Sequence, residues 1–272
     1  MVHPAVRSAA PLLLVALLAV GCARPAADDA VAAAASGLHA PAQSAPRDLP
    51  APALRAPAGT EAPAGSPDPT APAPEAGVPP LPGIGPETLA ELPAGACQVL
   101  VSSTPGPADT TATTVLYERT GDAWERTGEY AGHNGGAGWK RDRREGDRTS
   151  PIGVFSLSDA GGSLPDPGSL LPYSHEPALR TGAAAAYGED YAAVFDRVIA
   201  IDYNRQPGTP PTDDTRPLGW DAGGKIWLHV DHDSPTRGCI TVDAEDMVHL
   251  LRTIDPAAHP HIIMGPADDL AR

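Results

Sequence analysis

The stretch Lys225-Ile-Trp-Leu-His-Val-Asp-His-Asp-Ser-Pro-Thr-Arg-Gly-Cys-Ile-Thr-Val242 decides how this chain is expected to fold. Short apolar runs at each end of it predict two strands, 225–230 and 238–242. Pro235 and Gly238 lie between the runs, as residues that interrupt strands usually do. The connection is therefore a turn, long enough to bring the second strand back beside the first.

Alternation along strand 225–230 separates two faces, because successive side chains of a strand point to opposite sides. The face expected to pack into the core carries Ile226, Leu228 and Val230. The opposite face, expected to meet a ligand, carries Lys225, Trp227 and His229.

His229 and Cys239 form the candidate chemical pair of the chain. A thiol becomes a strong nucleophile as thiolate, and a nearby imidazole is the usual base that generates it near neutral pH. Backbone N–H groups around Arg237, Gly238 and Cys239 are expected to stabilise a developing oxyanion. Glycine at position 238 lets a substrate carbonyl approach the main chain closely. The pattern predicts a cysteine nucleophile, Cys239, with His229 as its base.

The N-terminus indicates export. A positive start with Arg7 precedes an uncharged apolar run from Pro11 to Val20, and small residues follow. The run is about half the ~20 residues that a membrane-spanning helix needs. Ala19-Val20-Gly21-Cys22 resembles a bacterial lipobox, in which the cysteine becomes the lipid-carrying first mature residue. We therefore predict a lipoprotein signal peptide at 1–21 and a lipid anchor on Cys22; an ordinary cleaved signal is the alternative.

Composition predicts a linker at 22–95 and one catalytic domain at 96–272. The linker consists mainly of Ala, Pro, Gly and Ser and holds about half of the chain's 33 prolines. It contains no Phe, Tyr or Trp, because the first such residue of the chain is Tyr117. Such a segment buries too little apolar surface to offset its chain entropy, so we expect it to be disordered. The remaining residues are enough for one domain with its own core.

The formal net charge of −15 excludes several partners. Nucleic acid requires a basic surface, and attraction to anionic lipids requires one too. The basic cluster 140–144 is a local exception. It is interpreted as a solvated turn, or alternatively as a contact for ligand carboxylates.

The other internal cysteine, Cys97, has two interpretations. We expect it to be a small buried apolar residue at the start of a strand. The alternative is a bridge between Cys97 and Cys239, which would consume the candidate nucleophile.

Local patterns predict a mainly β domain with one clear helix in its C-terminal half. The helix starts at an N-cap, Asp243, presents an apolar face, and stops before Pro256. The apolar face is expected to consist of Met247, Leu250, Leu251 and Ile254. Two Gly/Pro/Asp-rich segments, 158–190 and 204–224, are predicted to be loops that line a binding site. The predicted strands are 98–102, 114–118, 123–130, 151–157, 198–203, 225–230, 238–242 and 261–264.

The stretch Thr236-Arg-Gly-Cys-Ile240, after a strand that contains Leu228-His229, resembles the active-site signature of the bacterial L,D-transpeptidases. Residues 144–155, Arg-Glu-Gly-Asp-Arg-Thr-Ser-Pro-Ile-Gly-Val-Phe, are similar to an upstream strand of that family. Asp202-Tyr-Asn-Arg205 and the end of the domain also fit its actinobacterial branch. The resemblance covers nearly the whole domain, from Gln98 to Gly265.

This resemblance implies a fold and an activity. The fold is a β-sandwich-like catalytic domain, and the enzyme is a cysteine acyltransferase with no metal or organic cofactor. Cys239 attacks a donor stem peptide of peptidoglycan at the L-centre of diaminopimelate and expels D-alanine. An amine of a second stem peptide resolves the thioester, which gives a 3→3 cross-link in the cell wall. Carbapenems are possible inhibitors, and the enzyme faces the wall from the outer side of the membrane.

The chain departs from the signature at two positions and through a shorter His-to-Cys spacing. Thr236 stands where serine is usual, and Thr241 replaces an arginine that would hold a substrate carboxylate. Tyr203, Asn204, Trp227 and Thr236 are the residues expected to contact substrate.

Other interpretations of the same residues stay open. Water in place of the amine acceptor gives an L,D-carboxypeptidase, and a buried inert Cys239 gives a non-catalytic wall lipoprotein. His232 is an alternative base, and His229, His232 and Cys239 with nearby aspartates are an alternative zinc site. His133 is interpreted as a turn residue, and Glu145 and Asp147 as structural.

Overall fold

A computed structural model describes residues 78–272, so the predicted signal peptide, Cys22 and most of the predicted linker lie outside the described residues. The strands are β1 Gln98–Thr104, β2 Thr111–Thr120, β3 Ala123–His133, β4 Trp139–Lys140, β5 Ser150–Pro151, β6 Gly153–Gly162, β7 Tyr173–His175, β8 Val198–Ile201, β9 Trp227–Val230, β10 Ile240–Val242 and β11 His261–Pro266. The α-helices are α1 Pro86–Ala90, α2 Ala178–Tyr187, α3 Ala244–Thr253 and α4 Ala267–Leu270.

One nine-stranded sheet organises this part of the chain, with the order β10-β9-β8-β6-β11-β1-β2-β3 and β7 paired to β6. Most neighbours are antiparallel, but β9–β10, β1–β11 and β6–β7 are parallel. The short strands β4 and β5 form a separate parallel pair. The mainly β class predicted from the sequence is therefore confirmed, whereas the family-specific sandwich stays a prediction.

The sheet is nearly closed, because its two end strands meet. The His133 N–H at the end of β3 donates to Thr241 Oγ1 in β10 at 2.7 Å. Beyond β3, the Asn134 carbonyl accepts from Thr236 N at 2.9 Å, and Gly135 and Thr236 form an isolated bridge. These contacts satisfy backbone groups that an open sheet edge would leave unpaired.

Two apolar cores lie on opposite faces of the central strands. In β1, Leu100 packs into the larger core, whereas its neighbours Val99 and Val101 pack into the smaller one. The larger core also takes up the apolar side of α3, formed by Met247, Leu250 and Leu251, and Ile254, which directly follows the helix. These are the four apolar residues predicted for this face. Residues from the N-terminal side, including Leu81 and Leu92, complete the smaller core.

The predicted strands correspond to observed strands that differ at their ends, and α3 begins after Asp243 as expected. Asp243 occupies the N-cap position but makes no side-chain cap hydrogen bond. Residues 158–190 were expected to be a loop, and they contain α2 instead. The predicted linker extended to residue 95, but Leu81 and Leu92 are buried in the smaller core. No helix among residues 78–272 has the length and apolar character needed to cross a membrane.

Cys97 lies half-buried directly before β1, at the start of a strand as predicted. A bridge between Cys97 and Cys239 is ruled out, because Cys239 is a free cysteine. The candidate nucleophile is therefore present as a thiol.

Two glycine-to-alanine changes should alter the free energy of unfolding in opposite directions, because only one of the two glycines lies where the sheet closes. A Cβ at Gly132, near the end of β3, would overlap the Thr241 carbonyl. Gly132→Ala should therefore lower the free energy of unfolding by about 1–3 kcal/mol. The matched change Gly182→Ala in α2 meets no atom within 4 Å and should raise it by about 0.5–1 kcal/mol. Urea denaturation of both variants measures the difference, and an unchanged Gly132→Ala protein would contradict the closure.

Candidate active site

The parallel pairing of β9 and β10 positions the candidate residues. Its register places Thr241 opposite His229 and Ile240 opposite Leu228. Cys239, directly before β10, packs with Trp227 and Phe195, whereas Leu228 lies in the larger core. The two faces predicted for strand 225–230 are therefore confirmed, and the structure brings His229, Trp227 and Cys239 to the same side of the sheet.

Two adjoining cavities open on this side, with volumes of about 820 and 270 Å³. Cys239 lines both of them, at the place where they meet. Trp227 lines the larger cavity, whereas His229, His232 and Thr236 line the smaller one. The thiol is thus accessible from two spaces, only one of which contains the candidate base.

Main-chain contacts hold the His229 ring. His229 is 3% exposed, and its Nδ1 lies 2.9 Å from the Val230 carbonyl oxygen. A carbonyl only accepts, so Nδ1 carries the proton and Nε2 keeps the lone pair that a base needs. The Phe195 ring packs edge-on against the imidazole at 5.2 Å between centroids, and His232 stacks on it at 5.8 Å.

Burial shifts both partners toward their neutral forms. Desolvation lowers the pKa of His229 to about 4, although the carbonyls of Val230 and Val194 oppose this shift. Desolvation raises the pKa of the Cys239 thiol to about 11, against the Trp227 N–H and the positive charge of Arg143. In the resting state near pH 7, the pair is consequently a neutral thiol and a neutral imidazole.

The hydrogen bonds of the Cys239 sulfur in this state go to the backbone of Trp227, the first residue of β9, and of Lys225, two residues before β9. Sγ accepts from Trp227 N at 3.5 Å and donates to the Lys225 carbonyl at 3.6 Å. Within the described chain, it makes no hydrogen bond to His229. A rotation about χ1 changes the partner of Sγ without moving the backbone, since side chains exchange between staggered rotamers.

Thr236 fixes the turn that carries the nucleophile. Its hydroxyl donates to the Cys239 carbonyl at 2.7 Å and accepts from the Gly238 N–H at 2.9 Å. The Gly238 amide, predicted to contribute to an oxyanion hole, is therefore engaged by Thr236 in this state. Gly238 has φ +134°, and a Cβ there would come within 2.7 Å of the Thr149 carbonyl, so this position requires glycine.

Arg143 is a site residue that sequence reasoning placed wrongly. It belongs to the basic cluster interpreted as a solvated turn, with a contact for ligand carboxylates as the alternative. Arg143 is 4% exposed and lines the larger cavity, so the solvated turn is wrong for this residue. Its guanidinium donates to the carbonyls of Thr149 and Ala222 at 2.9 and 3.2 Å. The buried charge lowers the pKa of Cys239, in opposition to desolvation.

Tyr203 and Asn204 were predicted to contact substrate, but they line neither cavity and instead hold the loop 204–224. Tyr203 is 7% exposed, and its hydroxyl donates to the Ala222 carbonyl at 2.8 Å. Asn204 Nδ2 donates to the Gly219 carbonyl, and its Oδ1 accepts from Leu218 N at 2.7 Å. Their polar groups are used within the protein, which corrects the prediction.

The remaining polar residues near the site are mainly structural. Thr241, which stands in place of the family arginine, is fully buried and bonds Asp231 through its hydroxyl. His133 Nδ1 also bonds Asp231, at 2.8 Å. Asp147 accepts from Arg144 N and Thr149 N, as expected of a turn residue.

Helix α2 lies in the segment 158–190, which was predicted to line a binding site, and with Phe195 it supplies site residues that were not singled out from the sequence. Leu179, Ala183 and Tyr187 of α2 line the larger cavity, together with Phe195. Arg237 lies over the Tyr187 ring at 4.5 Å from its centroid. The Ala-rich run 183–186 was a helix signal that the flanking Gly and Pro residues concealed.

The alternative zinc site lacks a ligand set. Among residues 78–272, no three His, Cys, Asp or Glu side chains converge on a point that could hold a metal ion. His232 instead bonds the Ser234 hydroxyl through Nδ1 at 2.7 Å. Because His232 lines the smaller cavity with His229, its role as the alternative base stays open.

Comparison with known proteins gives little support for a relationship. No protein-family model and no curated protein matches the chain. The solved structure of Bd1075 from Bdellovibrio bacteriovorus is similar at 17% identity and a TM-score of 0.38, over 67% of this chain and 52% of the other. This chain thus spans about half the length of that protein, and a likeness at this level carries no argument.

The neutral resting pair predicts a distinctive pH dependence of thiol alkylation. Only the thiolate reacts, and with a pKa of about 11 roughly one thiol in ten thousand is ionised at pH 7. The rate of iodoacetamide labelling at Cys239, followed by peptide mass spectrometry, should rise about tenfold per pH unit from pH 7 to 10. Denatured protein serves as the control, and its profile should level off near pH 9. A native profile that is already flat below pH 7 would show a preformed ion pair and contradict this expectation.

Proposed function

We propose that this domain is a cysteine acyltransferase of the L,D-transpeptidase type that forms 3→3 cross-links between peptidoglycan stem peptides. The observation that carries the proposal is that Cys239 and His229 line the same cavity from adjacent parallel strands. A free thiol, an imidazole with an available Nε2, and a neighbouring substrate-sized space are the elements that thiol acyl transfer requires.

In the first half-reaction, the Cys239 thiol rotates toward His229 and gives its proton to Nε2 as sulfur attacks the donor carbonyl. The tetrahedral intermediate collapses when the C–N bond to the leaving D-alanine breaks, and the imidazolium returns its proton to that amine. The product is a thioester on Cys239. The low pKa of His229 makes the imidazolium a strong acid for this step.

In the second half-reaction, the amine of an acceptor attacks the thioester carbonyl. Its surplus proton passes to Nε2, the C–S bond breaks, and the imidazolium reprotonates the departing sulfur. A new amide forms and the neutral pair is restored. Water as the acceptor would give a carboxylic acid instead, which is the carboxypeptidase alternative at the same site.

A carbapenem tests the nucleophile directly. Incubation of the full chain with a carbapenem should add the mass of one drug molecule, and peptide mapping should place it on Cys239. With a diaminopimelate tetrapeptide as donor and acceptor, the product should be the cross-linked dimer rather than the tripeptide. His229→Gln should lower the turnover rate by about a hundredfold or more.

His261→Gln is a matched control, because the His261 Nδ1 also bonds a main-chain carbonyl but the residue lies on β11. This variant should keep full turnover. Drug adducts or turnover retained in Cys239→Ala would overturn the thiol mechanism. Turnover lost on chelation but kept after alkylation would favour the metal alternative.

We further propose that the enzyme works outside the cytoplasm and is held to the membrane by lipid on Cys22. The support is the apolar run that ends at Gly21-Cys22. Cells grown with a clickable fatty acid should label the wild-type chain, and Cys22→Ser should abolish the label. The matched variant Ser8→Ala in the polar start should retain it; equal labelling of Cys22→Ser would refute the anchor.

A further inference from the structure

Only one of the two cavities is lined by the candidate base, and this difference favours one orientation of a bound substrate. His229 lines the smaller cavity and not the larger one. On the proposed function, both the leaving amine and the incoming acceptor exchange protons with His229. They therefore occupy the smaller cavity, and the acyl part of the donor lies in the larger cavity on the other side of Cys239.

The larger cavity is cationic in a chain whose net charge is −15. Two carboxylates line it, those of Glu145 and Glu176. Five cationic side chains line it: Arg143, Arg148, Arg216, Lys225 and Arg237. Such a concentration of one sign in a concave site attracts ligands of the opposite sign.

Three of the five cations already have partners within the protein. Arg216 pairs with Glu145 at 3.3 Å, and Lys225 pairs with Asp214 at 2.7 Å. Arg143 donates to main-chain carbonyls, as described above. Arg148 and Arg237 pair with no carboxylate among residues 78–272, and both line the two cavities beside Cys239.

The two unpaired guanidiniums present free donors. Tyr187 covers one face of Arg237, with the guanidinium carbon 4.5 Å from the ring centroid. A guanidinium that stacks by its face keeps the in-plane N–H groups that bind a carboxylate in a bidentate manner. Arg148 has φ +61°, an uncommon backbone conformation for a residue other than glycine, and its side chain is exposed at the cavity.

We propose that the acyl donor lies in the larger cavity with carboxylates of its acyl part bound by Arg148 and Arg237. The site therefore selects donors whose acyl part is anionic, and it discriminates against the same donors when those groups are primary carboxamides. The orientation of the donor rests on the proposed function. The carboxylate site does not, because a binding measurement alone tests it.

Binding to a full-length Cys239→Ala protein separates recognition from catalysis. The probes are a donor tetrapeptide with two carboxylates in its acyl part and the same peptide with both as carboxamides. Calorimetry should show that the dicarboxylate binds about tenfold or more tightly, as expected for two charge-assisted contacts that are partly exposed. The preference should shrink as salt rises.

Added substitutions locate the preference. In Cys239→Ala, the further changes Arg148→Gln and Arg237→Gln together should reduce the ratio of the two affinities to about one. Arg144→Gln is the matched control, because Arg144 is exposed, lies nearby and lines neither cavity. It should leave the ratio unchanged. Thermal denaturation of each variant checks that the fold is retained.

The outcomes distinguish this inference from the proposed function. Equal affinity for both peptides, or a preference that survives removal of Arg148 and Arg237, would overturn the carboxylate site. If the wild-type chain transferred the acyl groups of the dicarboxylate and the dicarboxamide donors equally well, the carboxylate site would also be overturned. The proposed function would remain intact. A clear arginine-dependent preference without acyl transfer would support the site and overturn the function.

Discussion

The parallel pairing of β9 with β10 is the constraint on which the candidate site depends. Parallel neighbours usually require a connection of a dozen or more residues, yet residues 231–239 make this one. The loop turns at Asp233, which has φ +55°. Its Thr236 N–H bonds the carbonyl of Asn134, the residue directly after β3, before the chain returns to the sheet at β10. The same contacts that close the sheet thus place Cys239 beside β9.

This constraint also explains why the chemistry lies on the surface away from the larger core. The core takes one side of β9 through Leu228, so the next positions, Trp227 and His229, face outward under α2 and Phe195. Residues that cover the outward face bury the imidazole and part of the thiol. The desolvation that disfavours the charged forms of Cys239 and His229 is consequently a product of the fold. At Cys239, the buried charge of Arg143 only partly opposes it.

Much of the fold follows from short-range patterns, and the site follows from them less completely. The alternation at Ile226, Leu228 and Val230 predicted both faces of β9, because burial on one face imposes a period of two. The apolar spacing predicted α3 in the same way. Arg143 was missed because its sequence neighbours are exposed charges, and its burial depends on carbonyls of Thr149 and Ala222 supplied by distant loops. Tyr203 and Asn204 were misplaced for the same reason, since their partners lie in the loop 204–224.

Cys239 lies between two cavities with different linings, and this difference favours one orientation of a donor peptide. A Cys–His pair alone would not distinguish the two orientations. On the side of His229, the lining contains imidazoles and hydroxyls that handle protons. Arg148 and Arg237 line both cavities, and the larger cavity adds three further cations, Arg143, Arg216 and Lys225. A donor that entered in the opposite sense would place its leaving amine among cations and away from the base. Proton transfer and charge recognition therefore favour the same orientation of the donor across the thiol.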